Sequence, residues 1–288
     1  MGNHRIALLT DSTCDIPDKL VQQYDINVIP CYVIWDGKEY RDHIDLSAVD
    51  FYQRLVTDPE YPSTAHPSSE TFRGIYEVAG ENGADEIVVL TVSGAMSGTY
   101  NAAMQGASGI DIPVHVVDSR GPTMSLGWQV LAAARAREAI GTVEAMLAAA
   151  EKTRQRLVQF VCMHSIEYLH KGGRIGNATH FFGNILNIKP IIYIDHGSGL
   201  VEGYKKIRTF SRAVEVFYKG FFEKLGDAAG KTLRIAVLHG NAPNEAEELA
   251  DRVRKEYQPA EVVINCTGPV LGVNTGPGAL ALCGYVDD

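Results

Sequence analysis

Long apolar runs are missing from this 288-residue sequence: none approaches the roughly 18 to 20 apolar residues that a helix needs to cross a bilayer. The opening residues, Met1-Gly2-Asn3-His4-Arg5, carry no signal-type apolar core, so a cytoplasmic location is expected. Clustered positive charge of the kind that binds a nucleic-acid backbone is missing too. With 26 Lys and Arg against 35 Asp and Glu, the formal net charge is -9 and no basic face suited to a nucleic-acid backbone is present. Cysteine is sparse and scattered: Cys14, Cys31, Cys162, Cys266 and Cys283 stand singly, without CxxC or a metal-type pairing with His, so buried reduced thiols are expected and no metal. Cys14 alone lies among polar residues in a turn, but nothing places a His or Asn beside it to make a nucleophile. Phosphate-loop spacing is absent, and Gly197, Gly199 and Gly203 miss the dinucleotide fingerprint. No nucleotide or other cofactor is indicated.

What is present is ordinary globular material, 45% hydrophobic and 21% charged, enough for two domains. Strand-type and helix-type segments alternate from the start: a strand at Arg5 to Thr10, a helix from about Pro17 to Tyr24, and a strand from Asn27 to Ile34. A hairpin at Asp36-Gly37 follows, then helices from about Ser47 to Val56 and Ser69 to Glu81, and strands at Glu86 to Val92 and Val114 to Val117. This βαβ order predicts an α/β fold whose N-terminal domain is a mainly parallel, Rossmann-like sheet with helices on both faces. Met124 to Thr153 reads as two helices divided near Gly141-Thr142, and the strand at Leu157 to Met163 begins a second unit. The boundary is placed at 155, giving domains 1–155 and 156–288. The second domain holds a hairpin of Ile188 to Asp195 with Leu200 to Lys206, a helix from about Ser211 to Leu225, a strand at Leu233 to Leu238, a helix from Asn244 to Tyr257 and a strand at Glu261 to Asn265. A mixed or antiparallel sheet with helices on one side is expected there.

The most informative segment is Glu86 to Ala103. An apolar strand breaks into Ser93-Gly94-Ala95-Met96-Ser97-Gly98-Thr99-Tyr100-Asn101, where a helix start collects unpaired N–H groups beside hydroxyls. That combination suits a carboxylate or phosphate. A second polar loop, Tyr61 to Ser68, is stiffened by two prolines and carries Thr64 and His66; Ser68 or Ser69 caps the next helix, but capping does not account for Thr64. In Leu169 to Gly176, two cations surround Gly172-Gly173, a pattern read as a helix cap or turn. Thr267 to Ala279, rich in Gly and Pro, reads as a functional loop between strands. Phe181, Phe182, Ile185 and Leu186 stand at helical spacing, where core is the usual explanation.

Together these pieces resemble the DegV family of fatty-acid-binding proteins. The motifs that carry the resemblance span the chain: Thr10 to Pro17, Pro62-Ser63-Thr64, Ser97 to Tyr100, Leu169 to Ile175, Leu186 to Ile191, Lys206 to Thr209, and Gly276 to Ala279. The resemblance implies two α/β domains enclosing a long-chain fatty acid in a tunnel, its carboxylate held at their interface by Thr64 and Ser97. It further implies a carrier, not an enzyme, which presents the acid to a separate fatty acid kinase for conversion to acyl phosphate, with Arg208 as a kinase contact. Gly98, Thr99, His66 and Asn274 are further candidates for head-group contact. The chain departs from the family at two of these places. Thr64-Ala65-His66 stands where Thr-Ser-Gln is usual, and Asn274 stands where a His usually precedes Gly-Pro-Gly, so His66 is expected to take over the imidazole's place. A head group met by neutral donors without a full countercharge is expected. The competing reading is a small-molecule phosphotransferase or hydrolase using Ser97, Asp11 or His66, although no triad spacing supports it.

Overall fold

The computed structural model describes residues 4–182, 188–226 and 232–287. The N-terminal half runs β1 (Ile6–Asp11), α1 (Asp18–Gln23), β2 (Ile26–Ile29), β3 (Tyr32–Trp35), β4 (Lys38–Arg41), α2 (Ala48–Thr57), β5 (Ser63–Ala65), α3 (Ser69–Glu81), β6 (Glu86–Thr91), α4 (Thr99–Gly106) and β7 (Val114–Asp118). Then come α5 (Met124–Ala139), α6 (Val143–Arg156), β8 (Val158–Cys162), α7 (Glu167–Gly172), α8 (Ala178–Phe182), β9 (Lys189–Asp195) and β10 (Leu200–Ile207). The chain closes with α9 (Phe210–Leu225), β11 (Thr232–His239), α10 (Pro243–Tyr257), β12 (Glu261–Cys266), α11 (Pro269–Thr275) and β13 (Leu280–Asp287).

Among the described residues three sheets result: a parallel one ordered β2-β1-β6-β7, a mixed one ordered β10-β9-β8-β13-β11-β12, and a small antiparallel one ordered β4-β3-β5. Strand alternation tells each sheet where to send its side chains. In the parallel sheet Leu9, Ile87 and Val89 pack with Phe72 and Tyr76 of α3 and Ala103 of α4. Their neighbours Leu8, Val88 and Leu90 point the other way, to Leu126, Val130 and Ala134 of α5. In the mixed sheet Leu233, Ile235, Leu280 and Leu282 meet α9 and α10, while Ala236, Leu238, Ala281 and Cys283 join the same core as α5. Between the two sheets, α5 is buried around its whole circumference from Met124 to Leu131, and its two polar residues there, Ser125 and Gln129, are hydrogen-bonded. Trp128 ties it to the second sheet, donating from Nε1 to the Cys283 carbonyl at 3.1 Å and meeting Tyr285 edge to face.

Three sequence expectations change. The single strand expected from Asn27 to Ile34 is two strands in different sheets, because Pro30 has no N–H and the Cys31 N–H goes to Ser12 Oγ at 3.0 Å. The expected loop at 267 to 279 contains α11, started by Pro269 at its first position. Helices cover both faces of the mixed sheet, since α5 and α6 pack on β13 opposite α9 and α10. Of the apolar set near 181 to 186, Phe182 is core and Phe181 is part-exposed; Ile185 and Leu186 lie outside the described residues.

Candidate functional site

The site begins with Asp11, buried at the end of β1. Its carboxylate accepts from the Thr13 N–H at 3.0 Å and, across the sheet, from the Val92 N–H at 2.7 Å. That bond fixes the exit of β6 and the turn after it. Burial raises the Asp11 pKa, and these hydrogen bonds only partly offset it. In the turn, Ser93 Oγ donates to the Gly199 carbonyl at 2.7 Å and Gly94 N–H donates to Asp118 at 3.1 Å. The Met96 and Ser97 N–H groups return to the Ser93 carbonyl, and the Thr99 N–H reaches Ser97 Oγ at 3.3 Å. The expected set of unpaired N–H groups is thus partly occupied from within; Gly98, Tyr100 and Asn101 keep theirs without a partner among the described residues. A Cβ at Gly98 would collide with the His66 ring, so glycine there lets the 64–66 segment press against the turn.

Thr64 arrives on β5, which pairs antiparallel with β3, Val33 opposite Thr64. Tyr61, just before it, donates from its hydroxyl to the Val273 carbonyl of α11 and so brings β5 to that helix. Asn274, on α11, donates to the Val270 carbonyl at 3.2 Å; its buried Oδ1 has no hydrogen-bond partner and lies against Gly172, where a Cβ would not fit. Gly172 ends α7, and Gly173 caps it in the left-handed region at φ 70. This cap aims Arg174 at the Ser97 turn: its Nε lies 3.4 Å from the Met96 carbonyl and its Nη1 2.8 Å from that of Gly172.

Thr64, His66, Ser97, Arg174 and Asn274 all line one cavity between the parallel and mixed sheets. The cavity measures about 130 Å³. One water needs roughly 10–15 Å³ on that measure, so there is room for about ten waters or a flexible chain of like bulk. Away from the polar cluster its walls are largely apolar, with Val161 of β8, Ile192 and Ile194 of β9, Val201 of β10, Leu238 of β11 and Ala281 of β13. Strand register gives it a direction: Val161 pairs with Ile192, and Ile194 with Val201, so it follows the strands away from Arg174 towards Gln159.

Other candidates are placed differently. Thr99 is fully buried behind Ser97, its Oγ1 2.8 Å from Ser97 Oγ, and neither it nor Gly98 lines the cavity. Asp11 is enclosed by Thr13 and Val92 and does not line the cavity either, while Ser97 bonds Thr99, not His66; the three do not form a triad. Cys14 is buried, which raises its thiol pKa far above the ordinary value and makes it a poor nucleophile. Arg208 is exposed after β10 and makes no side-chain bond among the described residues. Arg174 is the residue that sequence reasoning passed over, although its loop had been marked by two cations and a glycine pair. Arg174 thus brings a positive charge to a lining where neutral donors alone were expected.

Comparison with known proteins bears on what the cavity holds. The family model described as "Uncharacterised protein, DegV family" matches residues 5–287. A fatty acid-binding protein of Thermotoga maritima is 33% identical over 286 residues, covering 96% of each chain. A DegV domain-containing protein of Streptomyces coelicolor is 34% identical over 283 residues, 98% of each. In structure, the chain superposes on a fatty-acid-binding DegV family protein from Thermus thermophilus with a TM-score of 0.90 at 32% identity, covering 98% of this chain and 100% of that one. DegV of Bacillus subtilis, a fatty acid binding protein, gives 0.90 at 29% identity, covering 99% and 100%.

Proposed function

We propose, since this chain belongs to the DegV family, that it binds a long-chain fatty acid in the cavity between its two sheets and presents the acid to a separate fatty acid kinase. The observation that carries the reading is a mainly apolar cavity that Thr64, Ser97 and the Arg174 guanidinium line together. Burial of a saturated tail contributes about 0.8 kcal/mol for each CH₂, so some fifteen of them contribute on the order of 12 kcal/mol before the costs of association. The tail thus supplies affinity. The head group supplies orientation: a carboxylate leaving water must find donors, and Thr64, Ser97 and Arg174 offer two hydroxyls and a charged fork.

On this reading residues 1–155 and 156–288 act as two domains with the ligand between them. His66 and Asn274, which line the cavity, adjust the head-group end, and Gly98 lets His66 press against the Ser97 turn. The chain carries the acid without transforming it, in the cytoplasm and without a cofactor, and the kinase makes the acyl phosphate. Arg208 is assigned to the kinase contact because it lies exposed with Lys205, Lys206 and Arg212 on an otherwise acidic chain. Native mass spectrometry of the purified protein, with organic extraction and lipid analysis, tests the binding step. One equivalent of fatty acid is expected. An empty protein that also fails to take up added fatty acid would refute the reading.

A further inference from the structure

The far end of the cavity is polar where its walls are otherwise apolar. Gln159 and Thr123 line it there, and both side chains are occupied. Gln159 Nε2 donates to Thr123 Oγ1 at 3.0 Å, its Oε1 accepts from Ser125 Oγ, and Ser125 Oγ lies 2.7 Å from His196 Nε2. All four residues are buried. Thr123 is held at φ 53, ψ -138, a conformation that a β-branched residue rarely adopts and that surrounding structure must impose. Behind this wall lies a second cavity of about 320 Å³, lined by His196, Tyr193, Lys224 and again Gln159, and reaching the surface at Lys224. Gln159 and Ile194 line both spaces.

Building on the fatty-acid reading, we infer that Gln159, clamped by Thr123 and Ser125, is the end-stop of the acyl cavity and sets the longest chain that the protein accepts. A tail reaching Gln159 gains one methylene's burial by going further, but must unpair a buried amide at both ends to do so, and the second term is the larger. Removing the amide takes away one of the two side chains, Gln159 and Ile194, that line both cavities. Shortening the side chain thus lengthens the cavity, and adding bulk one alternate position nearer the head group, at Val161, shortens it.

The test is displacement of a fluorescent fatty acid by straight-chain saturated acids lengthened two carbons at a time, on the wild-type protein, Gln159→Ala and Val161→Phe. Wild type is expected to gain affinity with length up to a limit and then lose at least tenfold. Gln159→Ala is expected to move that limit to longer acids by at least two carbons, and Val161→Phe to move it to shorter ones. A limit that stays put in every variant with a wild-type circular dichroism spectrum overturns the end-stop and leaves the carrier reading standing. Wild-type protein that binds no acid of the series removes the carrier reading itself.

Discussion

Thr64 and Ser97 come from elements far apart in sequence, yet each is held by a neighbour with no ligand of its own. Asp11 fixes the turn that carries Ser97, and the bond from Tyr61 to Val273 brings β5 with Thr64 to α11. Replacing both hydroxyls in Thr64→Ala/Ser97→Ala should weaken fatty-acid binding by roughly 1 to 3 kcal/mol for each hydrogen bond lost to a charged head group, and leave the melting temperature almost unchanged. Titration with a fluorescent fatty acid reads this directly; wild-type affinity in the folded double variant would exclude both residues from the head-group contact. Arg174 adds a charge that the hydroxyls lack. Arg174→Gln should lower affinity for a fatty acid about tenfold, in the range of a partly solvated charge-assisted bond, while sparing the fatty alcohol of equal length. Equal losses for acid and alcohol would assign Arg174 to packing instead.

At the scale of elements, α11 decides how the cavity closes, because it carries Asn274 and is held at its start by the opposite half of the chain. The Gly268 N–H donates to Asp15 at 2.9 Å and the Val270 N–H to Asp42 at 3.3 Å, two carboxylates at a helix N-terminus. His43 Nε2 stands 3.9 Å from Asp15. Burial alone would lower the His43 pKa, but Asp15 and Asp42, with Asp18 beyond them, outweigh it and raise it from 6.5 to about 9. Burial also pushes Asp42 up, from 3.8 to about 6, and raises Asp15. A His whose pKa is higher folded than unfolded stabilises the fold below about 6.5 and loses that contribution as the pH rises through about 9. Asp42 acts in the same sense at lower pH, since its buried carboxylate opposes folding increasingly between 3.8 and about 6. Wild type should therefore melt higher than His43→Asn at pH 6.5, with the gap closing by pH 9 and above. Thermal melts across that range check this; a gap independent of pH would show that His43 is not charged against these carboxylates.

For the whole molecule, α5 is the common wall of two sheets whose strands come from opposite halves of the chain, and the cavity lies between those sheets. Charge is distributed on the same scale. The chain carries -9 overall, while Lys205, Lys206, Arg208 and Arg212 are exposed along edge strand β10 and the start of α9. Arg208→Ala should leave fatty-acid affinity unchanged and reduce acyl-phosphate formation at least tenfold in a mixture with the kinase and ATP, as loss of a steering and docking charge requires. Undiminished turnover would remove Arg208 from the kinase contact.

Local physics made much of this legible beforehand. The unbroken apolar run within Glu86 to Thr91, the caps Ser47 and Ser68, and the turn at Asp36-Gly37 each depend on residues within a few positions, so strands, helix starts and the hairpin follow from the sequence alone. The motifs around Thr64, Ser97 and Gly172-Gly173 were visible for the same reason. What the tertiary structure alone decided depends on chain segments that meet from far apart. Pro30 and Ser12 together send Ile26–Ile29 and Tyr32–Trp35 to different sheets, and α11 forms where glycines and prolines suggested a loop. Arg174 reaches the Ser97 turn only because Gly173 turns the chain, and Gln159 faces the cavity only through its register beside β9 and β13. Sequence specifies which side chains each element can present; the packing of two sheets on one helix determines which of them share a cavity, because that depends on contacts between residues as far as 253 positions apart, such as Gly268 with Asp15.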